Sequence, residues 1–310
     1  FPQLYNALFV GGAGDPDSAS SDDQIKGLVR LREGTGGEFG NLMLVNVPGV
    51  GVYQNSCGQE SRTQTLPSSG TDYLWFSANN VMVGAANAFD VDQDGCEGLT
   101  TAKEESSAGL IMLPTSMNED TKFIDPRPLP RSSGAAAWQD VDEVPSNGFF
   151  DRVEYKGAFG ESNWLDGWSI LSVSGKMPAD IYGEVIGGQL ASDKTLSASS
   201  TYLLTSQLFV QDGATLTIEP GTTIYAYADS TAGVAPAVVV ERGGKIDARG
   251  TAESPITMTS AAWPGVLPKA GMWGGLIING KAPVYGTEQE VEGLVGVKYG
   301  GEEPGGSPGG

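Results

Sequence analysis

The stretch TYLLTSQLFVQDGATLTIEPGTTIYAYA, at residues 201–228, is the best indicator of the fold class. It contains three runs rich in β-branched and aromatic residues, which we predict to be strands: Tyr202–Val210, Thr215–Ile218 and Thr222–Tyr227. The turn-forming pairs Asp212-Gly213 and Pro220-Gly221 break these runs. The strands are therefore short and are separated by tight corners.

The same pattern returns further along the chain. The stretch AVVVERGGKIDARGTAESPITMTSA, at residues 237–261, contains a second set of predicted strands: Ala237–Val240, Lys245–Ala248 and Ile256–Thr259. A third pass, GMWGGLIINGKAPVYG at residues 271–286, places the run Leu276–Ile278 between glycines. The repetition indicates one structural unit that is used several times.

The connections between these runs show no helical period, so they are not βαβ crossovers. We predict an all-β fold, in which the runs are successive turns of a right-handed parallel β-helix, a solenoid. Four side chains are expected to point into its core: Leu216, Ile218, Val239 and Ile246. The alternative is an antiparallel sandwich, which uses the same residue types.

The first third of the chain shows the same pattern, with strands predicted near Ala7–Val10, Gly27–Arg32 and Asn41–Val47. Changes in composition divide the chain into five segments. They are terminal turns of a β-helix at 1–57, a loop-rich insertion packed on the coil at 58–148, an aromatic capping segment at 149–170, a linker at 171–185, and opening turns of a β-helix at 186–310.

The capping segment is named for its aromatic residues: Phe149, Phe150, Tyr155, Phe159, Trp164 and Trp168. Such a cluster suits the open apolar end of a β-helix, which needs a cover against edge pairing. The order of segments indicates the last turns of one β-helix followed by the first turns of another. Alternatively, the two partial coils complete each other, within one fold or between copies.

Composition excludes several classes of site. The 310 residues include no histidine, which removes Ser-His-Asp and Cys-His nucleophile systems and His-based zinc sites. Asp and Glu outnumber Lys and Arg by 38 to 18, and the net charge of -20 repels nucleic acid and anionic membranes. No apolar run is long enough to span a membrane. We predict an extracellular protein, secreted or on the cell surface, whose two ends are cut from a longer polypeptide.

The sharpest motif is Asp90-Val-Asp92-Gln-Asp94-Gly95, with three carboxylates at alternate positions before a turn glycine. This spacing is typical of the start of a calcium loop. Thr101 stands where an EF-hand requires Glu, so only a looser calcium loop is predicted. The alternative is a solvated acidic turn, which is also the interpretation of Asp140 and Asp142.

Cys57 and Cys96 can form a disulfide that closes a loop of about 40 residues and contributes roughly 4 kcal/mol. Two free buried thiols would look the same in the sequence. Asn55, in Asn55-Ser56-Cys57, is a weak acceptor for an N-linked glycan. Ser68, Ser69 and Thr71, in the proline-containing string TLPSSGT, are candidates for O-linked glycans.

The strings FVQDGATLTIEPGTTI, VVVERGGKIDARGTAESPITMTS and MWGGLIINGKAPV resemble the opening turns of a β-helix family in large secreted surface proteins of marine bacteria and algae. VEYKGAFGESNWLDGWS resembles the segment that closes such domains. The arrangement is also similar to that of glycosylated fibril proteins of algal flagellar hairs, the tubular mastigonemes. The resemblance implies a β-helix fold and a place at the cell surface.

We therefore predict a non-enzymatic structural subunit of an extracellular fibril or surface assembly, in which glycosylated copies self-associate through β-helix ends. One alternative is a carbohydrate-binding surface module, with Trp138, Trp263 and Trp273 as candidate rings for stacking on sugars. Another is a polysaccharide-degrading β-helix enzyme, which needs acidic residues grouped on adjacent turns. The acidic residues of the coil are instead scattered singly: Glu219, Asp229, Glu241 and Asp247.

Overall fold

The computed structural model describes residues 2–11, 27–32, 35–47, 49–55, 61–63, 72–92, 99, 102–113, 123–228, 234–266, 270–286 and 288–301. The chain divides into two compact units. Unit 1 comprises residues 1–120 and 126–163, and unit 2 comprises residues 121–125 and 164–310.

Unit 1 consists mainly of short strands. They are β1 Gln3–Tyr5, β2 Leu8–Val10, β3 Val29–Arg32, β4 Gly37–Gly40, β5 Met43–Val45, β6 Gly49–Asn55, β7 Ser61–Thr63, β8 Asp72–Phe76, β9 Val81–Val83, β10 Ala85–Asp92, β11 Lys103–Glu105, β12 Leu110–Met112 and, at the boundary with unit 2, β13 Asp125–Pro128. Two 3-10 helices follow, at Arg131–Ser133 and Ala136–Trp138.

The main strands of unit 1 form three sheets, with strand orders β1-β4-β8-β7, β10-β6-β3 and β11-β9-β5-β2. Every strand pair in these sheets is parallel. Along the chain, β1, β2 and β3 enter the three sheets one after another. β4, β5 and β6 then repeat this order, as do β8, β9 and β10. The path is that of a parallel coil with one strand per sheet in each turn.

The sequence predicted a loop-rich insertion at 58–148. The structure differs, because β8, β9 and β10 of that segment pair with β4, β5 and β6. Residues 72–105 of that segment supply strands to the coil itself. The sequence obscured this because long polar connections separate short apolar runs. The predicted boundary at residue 57 therefore does not mark the end of the coil.

The core of unit 1 lies inside the coil and is aliphatic and aromatic: Leu31, Leu42, Leu44, Val47, Val52, Leu74, Phe76, Met82 and Leu99. Adjacent side chains of a strand face opposite ways, so Met43 and Val45 point away from Leu44. They are nevertheless buried, because Ala136 and Ala137 pack on that outer face. The sheet around β5 is covered on both sides, which explains its continuous apolar sequence.

Unit 2 contains one short helix, α1 Ile170–Val173, in its described part. Its strands are β14 Glu184–Leu190, β15 Lys194–Leu196, β16 Thr201–Val210, β17 Thr215–Ile218, β18 Thr223–Ala226, β19 Val238–Val240, β20 Lys245–Asp247, β21 Thr257–Ser260, β22 Leu276–Ile278, β23 Gln289–Glu290 and β24 Lys298–Tyr299. β16, β17 and β22 match the predicted bounds to within one residue.

The first half of β16 pairs with β18 and its second half pairs with β19. β21 and β22 extend these two pairings, and β15-β17-β20 form the third side of the coil. All of these pairs are parallel, which excludes the antiparallel sandwich for these strands. The right-handed sense of the coil stays a prediction.

The core of unit 2 contains Leu216 and Ile218, and Ile246 packs against it, as predicted. The prediction for Val239 is wrong. Val238 and Val240 face the core, so Val239 faces the other side of its strand. It is buried there by Phe209, Ile277 and the segment around Val297.

Unit 1 has asparagines as well as glycines at positive φ, whereas the positive-φ residues in the described part of unit 2 are all glycines. Asn6 and Asn41 of unit 1 have positive φ angles of 54° and 55°, which asparagine tolerates better than most residues. Gly213 and Gly221 of unit 2 have φ angles of 85° and 86° at the predicted turn pairs. The asparagine corners therefore carry polar side chains where the glycine corners carry none.

Candidate functional site

The predicted calcium loop begins inside a strand. Asp90 and Asp92 belong to β10, which pairs along its length with β6, and Asp90 is exposed. Asp94 lies outside the described residues. No group of three or more potential metal ligands occurs in the described part of the chain. A calcium site formed by these three aspartates stays a prediction.

Most other predicted modification sites also fall outside the described residues: Cys57, Cys96, Ser68, Ser69 and Thr71. Asn55 is described, at the end of β6. Its Oδ1 accepts a hydrogen bond of 3.3 Å from Arg30 Nε on the neighbouring strand. The disulfide and the glycans stay predictions.

The six predicted capping residues are divided between the two units. In unit 1, Phe159 is buried, Phe150 packs edge-on against Tyr5 and Tyr155 packs edge-on against Trp138, whereas Phe149 is exposed. In unit 2, Trp164 and Trp168 stack with ring centroids 6.1 Å apart and both are exposed. These six side chains therefore have several different environments.

The most polar buried region of unit 1 is the bend between the sheets of β1 and β2, where asparagines of successive turns meet. We call Asn6, Asn41 and Asn79 the asparagine corner. Asn6 and Asn41 are stacked, since β1 pairs with β4 in register and Asn41 Nδ2 lies 3.4 Å from Asn6 Oδ1. Asn79 occupies the corresponding bend between β8 and β9.

The asparagine corner binds the segment at 139–157, which follows the 3-10 helices. We call it the returning segment. Asn41 accepts a hydrogen bond of 2.7 Å from the backbone N–H of Asp142 and donates one of 2.9 Å to its backbone carbonyl. Asn6 Nδ2 donates to the backbone carbonyl of Tyr155. Two points of this returning segment, Asp142 and Tyr155, are thus positioned by side chains of the coil.

Lys156 is fully buried beside this corner, and its Nζ donates a 2.6 Å hydrogen bond to the backbone carbonyl of Asn79. Loss of hydration lowers the pKa of Lys156 to about 8, and repulsion from Lys103 acts in the same direction. The carboxylates of Asp142, Asp140 and Glu105 oppose the shift. A substantial fraction of this amine is therefore uncharged at mildly alkaline pH.

Asp142 is the third polar residue beside the asparagine corner, together with Asn79 and Lys156. Its Oδ1 accepts a 2.7 Å hydrogen bond from Asn79 Nδ2, whereas its buried Oδ2 has no hydrogen-bond partner. Asp140, by contrast, is solvated and bonds to Lys103 Nζ at 3.0 Å, which lowers the pKa of Asp140. The predicted solvated acidic loop is therefore correct for Asp140 and wrong for the buried Oδ2 of Asp142.

Sequence reasoning missed Lys156 and Asn79. A lone lysine carries no motif, and Asn79 is distant from it in the chain. The available signal was the asparagine that recurs where each turn of unit 1 passes from its first sheet to its second.

A second feature is the coil end of unit 2, which we define as Leu276 and Ile278 on β22. These residues stack on Val238 and Val240, whose side chains are 0% and 2% exposed. Leu276 and Ile278 are 43% and 62% exposed. In the described part of the chain, no further strand pairs with the outer edge of β22.

The three tryptophans considered for sugar stacking have different surroundings. Trp263 lines a cavity of about 400 Å³ in unit 2, together with Tyr225, Ile181 and Met272. Trp138 lines a cavity of about 260 Å³ in unit 1, and the Arg131 guanidinium lies 4.2 Å from its ring centroid. Trp273 packs against the core of unit 2.

A comparison with known protein families gave a match within unit 2. Residues 188–309 match the family model of a pectate-lyase-like beta helix domain, which supports a parallel β-helix family for this part of the chain. That family includes enzymes, and a β-helix domain is compatible with a surface or carbohydrate-related protein. Searches of curated proteins and of solved structures gave no match. No described helix is long and apolar enough to cross a membrane.

Proposed function

We propose that this chain is a non-enzymatic structural subunit of an extracellular assembly, and that copies associate end to end through their coils. The observation that carries the proposal is the coil end. Its inward positions hold Leu276 and Ile278, which are exposed, while the residues beneath them are buried. Full burial of such a side chain contributes about 1.5–3 kcal/mol.

A second copy of the chain suits this surface. The edge of β22 offers unpaired backbone groups to a parallel strand. At the start of unit 1, β1, β2 and β3 each pair on one side only in the described strands. Contact between the last turn of one copy and the first turn of the next is heterologous, so it continues into a filament. Such a filament would agree with the resemblance to fibril proteins of algal flagellar hairs.

The non-enzymatic role is supported by the bonds that the acidic residues of the second coil make. Glu219 accepts a 3.0 Å hydrogen bond from the Ala198 backbone, and Asp247 forms an ion pair with Arg249. Each of these two carboxylates therefore has a bonding partner of its own. Extracellular location, covalent glycans and calcium at Asp90, Asp92 and Asp94 complete the proposal, supported by composition and spacing.

Electron microscopy and sedimentation of the purified chain test the assembly. The unaltered protein is expected to form filaments, and the double variant Leu276→Glu/Ile278→Glu is expected to remain monomeric because it places two charges on the contact surface. Val295→Glu is the matched control, since Val295 is 99% exposed but lies outside the coil end. Monomers of the unaltered chain at micromolar concentration would refute the proposal.

A second candidate function is carbohydrate binding at the Trp263 cavity. Trp263 and Tyr225 offer aromatic surfaces, and Thr259 and Ser260 offer hydroxyl groups at its wall. Retention on immobilised polysaccharides, with turnover scored separately, distinguishes binder, enzyme and inert scaffold. Trp263→Ala is expected to abolish retention if the cavity binds sugar, while Trp138→Ala is the control at the other cavity.

A further inference from the structure

The buried amine of Lys156 has an unusual set of neighbours. A lysine with no exposed surface is rarely found without a charged partner. In the described part of the chain, no carboxylate forms an ion pair with Lys156. Its Nζ instead contacts the backbone oxygen of Asn79.

The side chain of this same Asn79 is held by an acid. Its amide nitrogen donates to Asp142 Oδ1 at 2.7 Å, and Asp142 Oδ2 is buried without a partner. The amine thus contacts the backbone of Asn79, and the carboxamide of the same residue contacts a carboxylate that has a free oxygen. Lys156 is fully buried, and Asn79 and Asp142 are partly buried.

The fold holds these three groups in place. The backbone of Asp142 makes two hydrogen bonds to the Asn41 side chain. The backbone of Lys156 donates a 2.8 Å hydrogen bond to Ala137, and the next residue, Gly157, donates one of 2.9 Å to Asn41. Asn41 is thus a positioning residue for both sides of the site.

We propose that Lys156 and Asn79 form an intramolecular amide crosslink, with Asp142 as the catalytic proton carrier. The uncharged Nζ attacks Cγ of Asn79, and a bond forms between these two atoms. Asp142 accepts a proton from the attacking nitrogen and delivers it to Nδ2. The Cγ–Nδ2 bond then breaks and ammonia leaves. No oxidant, reductant or other reactant is needed.

The environment favours this step. An amine is a nucleophile only when uncharged, and desolvation activates lysines in this way. Burial, with Lys103 on β11 nearby, lowers the pKa of Lys156 to about 8. The opposing carboxylates are Glu105 on β11 and Asp140 and Asp142 on the returning segment. We expect the crosslink to form faster as the pH rises through 8.

The crosslink would tie the returning segment to the bend between β8 and β9, so an extended part of unit 1 becomes one covalent ring. This inference does not depend on the proposed end-to-end assembly. Like a disulfide, such a crosslink would survive denaturant, but unlike a disulfide it would also survive reductant.

Mass spectrometry of the intact, unaltered chain tests the proposal directly. The measured mass is expected to fall below the sequence mass by one ammonia molecule. Proteolysis is expected to yield a branched peptide that joins Lys156 to Asn79. Lys156→Met, Asn79→Ala and Asp142→Asn are each expected to remove the branched peptide, whereas Lys194→Arg is the control that retains it.

The unaltered chain decides the question even if a variant fails to fold. A measured mass equal to the sequence mass, after prolonged incubation at pH 9, would overturn the proposal. A mass deficit whose peptides map to another pair of residues, or to a cyclised terminus, would also overturn it.

Discussion

Unit 1 and unit 2 share the same principle of parallel strands stacked turn upon turn, yet they bury different chemistry. Unit 1 buries Asn41, Gln54, Asn80, Arg127 and Lys156, whereas the buried polar residues in the described part of unit 2 are Asp125, Ser172, Thr222 and Asn279, none of which is basic. The difference begins at the corners. At an asparagine corner, side chains of successive turns lie one above another and offer hydrogen-bond donors and acceptors. A glycine corner offers only backbone groups.

The comparison separates two roles of a coil. Aligned corners of unit 1 create a buried polar site, because parallel stacking repeats a side chain at a fixed spacing. Unit 2 lacks that polar alignment at its glycine corners, and its distinctive surface is the apolar coil end. The proposed crosslink site and the proposed docking surface therefore have different structural origins.

Removal of core volume is expected to have the largest effect, and it is expected to be similar in both units. Leu216→Ala in unit 2 and Leu44→Ala in unit 1 each remove a fully buried side chain and should cost about 2–5 kcal/mol of unfolding free energy. Denaturant titration and hydrogen exchange of the neighbouring strands measure this. Thr217→Ala, on the opposite face of β17, is the control and should cost much less.

Corner substitutions should separate the units. Asn41→Ala loses two hydrogen bonds to Asp142, about 0.5–1.5 kcal/mol each, together with the longer one to Asn6, and places alanine at positive φ, for a total of about 2–5 kcal/mol. Gly213→Ala meets no neighbouring atom and should cost only the strain of alanine at positive φ, about 1–2 kcal/mol. Asn41→Gly should be milder than Asn41→Ala. Equal losses of unfolding free energy in Asn41→Ala and Gly213→Ala would show that the two kinds of corner contribute equally to stability.

A rise in unfolding free energy between pH 8 and 10 should depend on one residue of unit 1, Lys156. In Asn79→Ala the Lys156 amine stays free, and its folded-state pKa of about 8 is below the ordinary value of 10.5. The unfolded chain binds the extra proton between these values, so unfolding free energy should rise with pH from 8 to 10. Above pH 10 the raised pKa of Tyr5 acts oppositely, because the folded state then binds the extra proton.

Equilibrium denaturation at several pH values measures this slope. The double variant Asn79→Ala/Lys156→Met is the matched control and should lack the rise between pH 8 and 10. A rise of equal size in both variants would assign it to another group.

The smallest effect is expected at the surface of unit 2. Lys194 and Glu184 form an ion pair of 2.8 Å with both side chains partly exposed. Such pairs contribute about 0–1 kcal/mol because water and salt screen them. Lys194→Ala should therefore change the thermal midpoint little, and high salt should reduce even that difference. A loss comparable with Leu216→Ala would show that this pair has a larger structural role.

Strand positions in unit 2 could be read from the chain alone. Runs such as Thr215–Ile218 alternate apolar and polar residues, and Gly213 and Gly221 mark their corners. These are local properties, since backbone conformation and side-chain period depend on near neighbours. The direction of Val239 was not predictable in this way, because three successive valines carry no alternation.

Long-range geometry decided the rest. Residues 72–105 belong to the coil because their strands pair with β4, β5 and β6, and no local signal specifies such partners. Lys156 meets Asn79 and Asp142 only because the returning segment docks on a bend made much earlier in the chain. Local periodicity specifies a strand, but stacking in three dimensions determines which buried polar groups share one site.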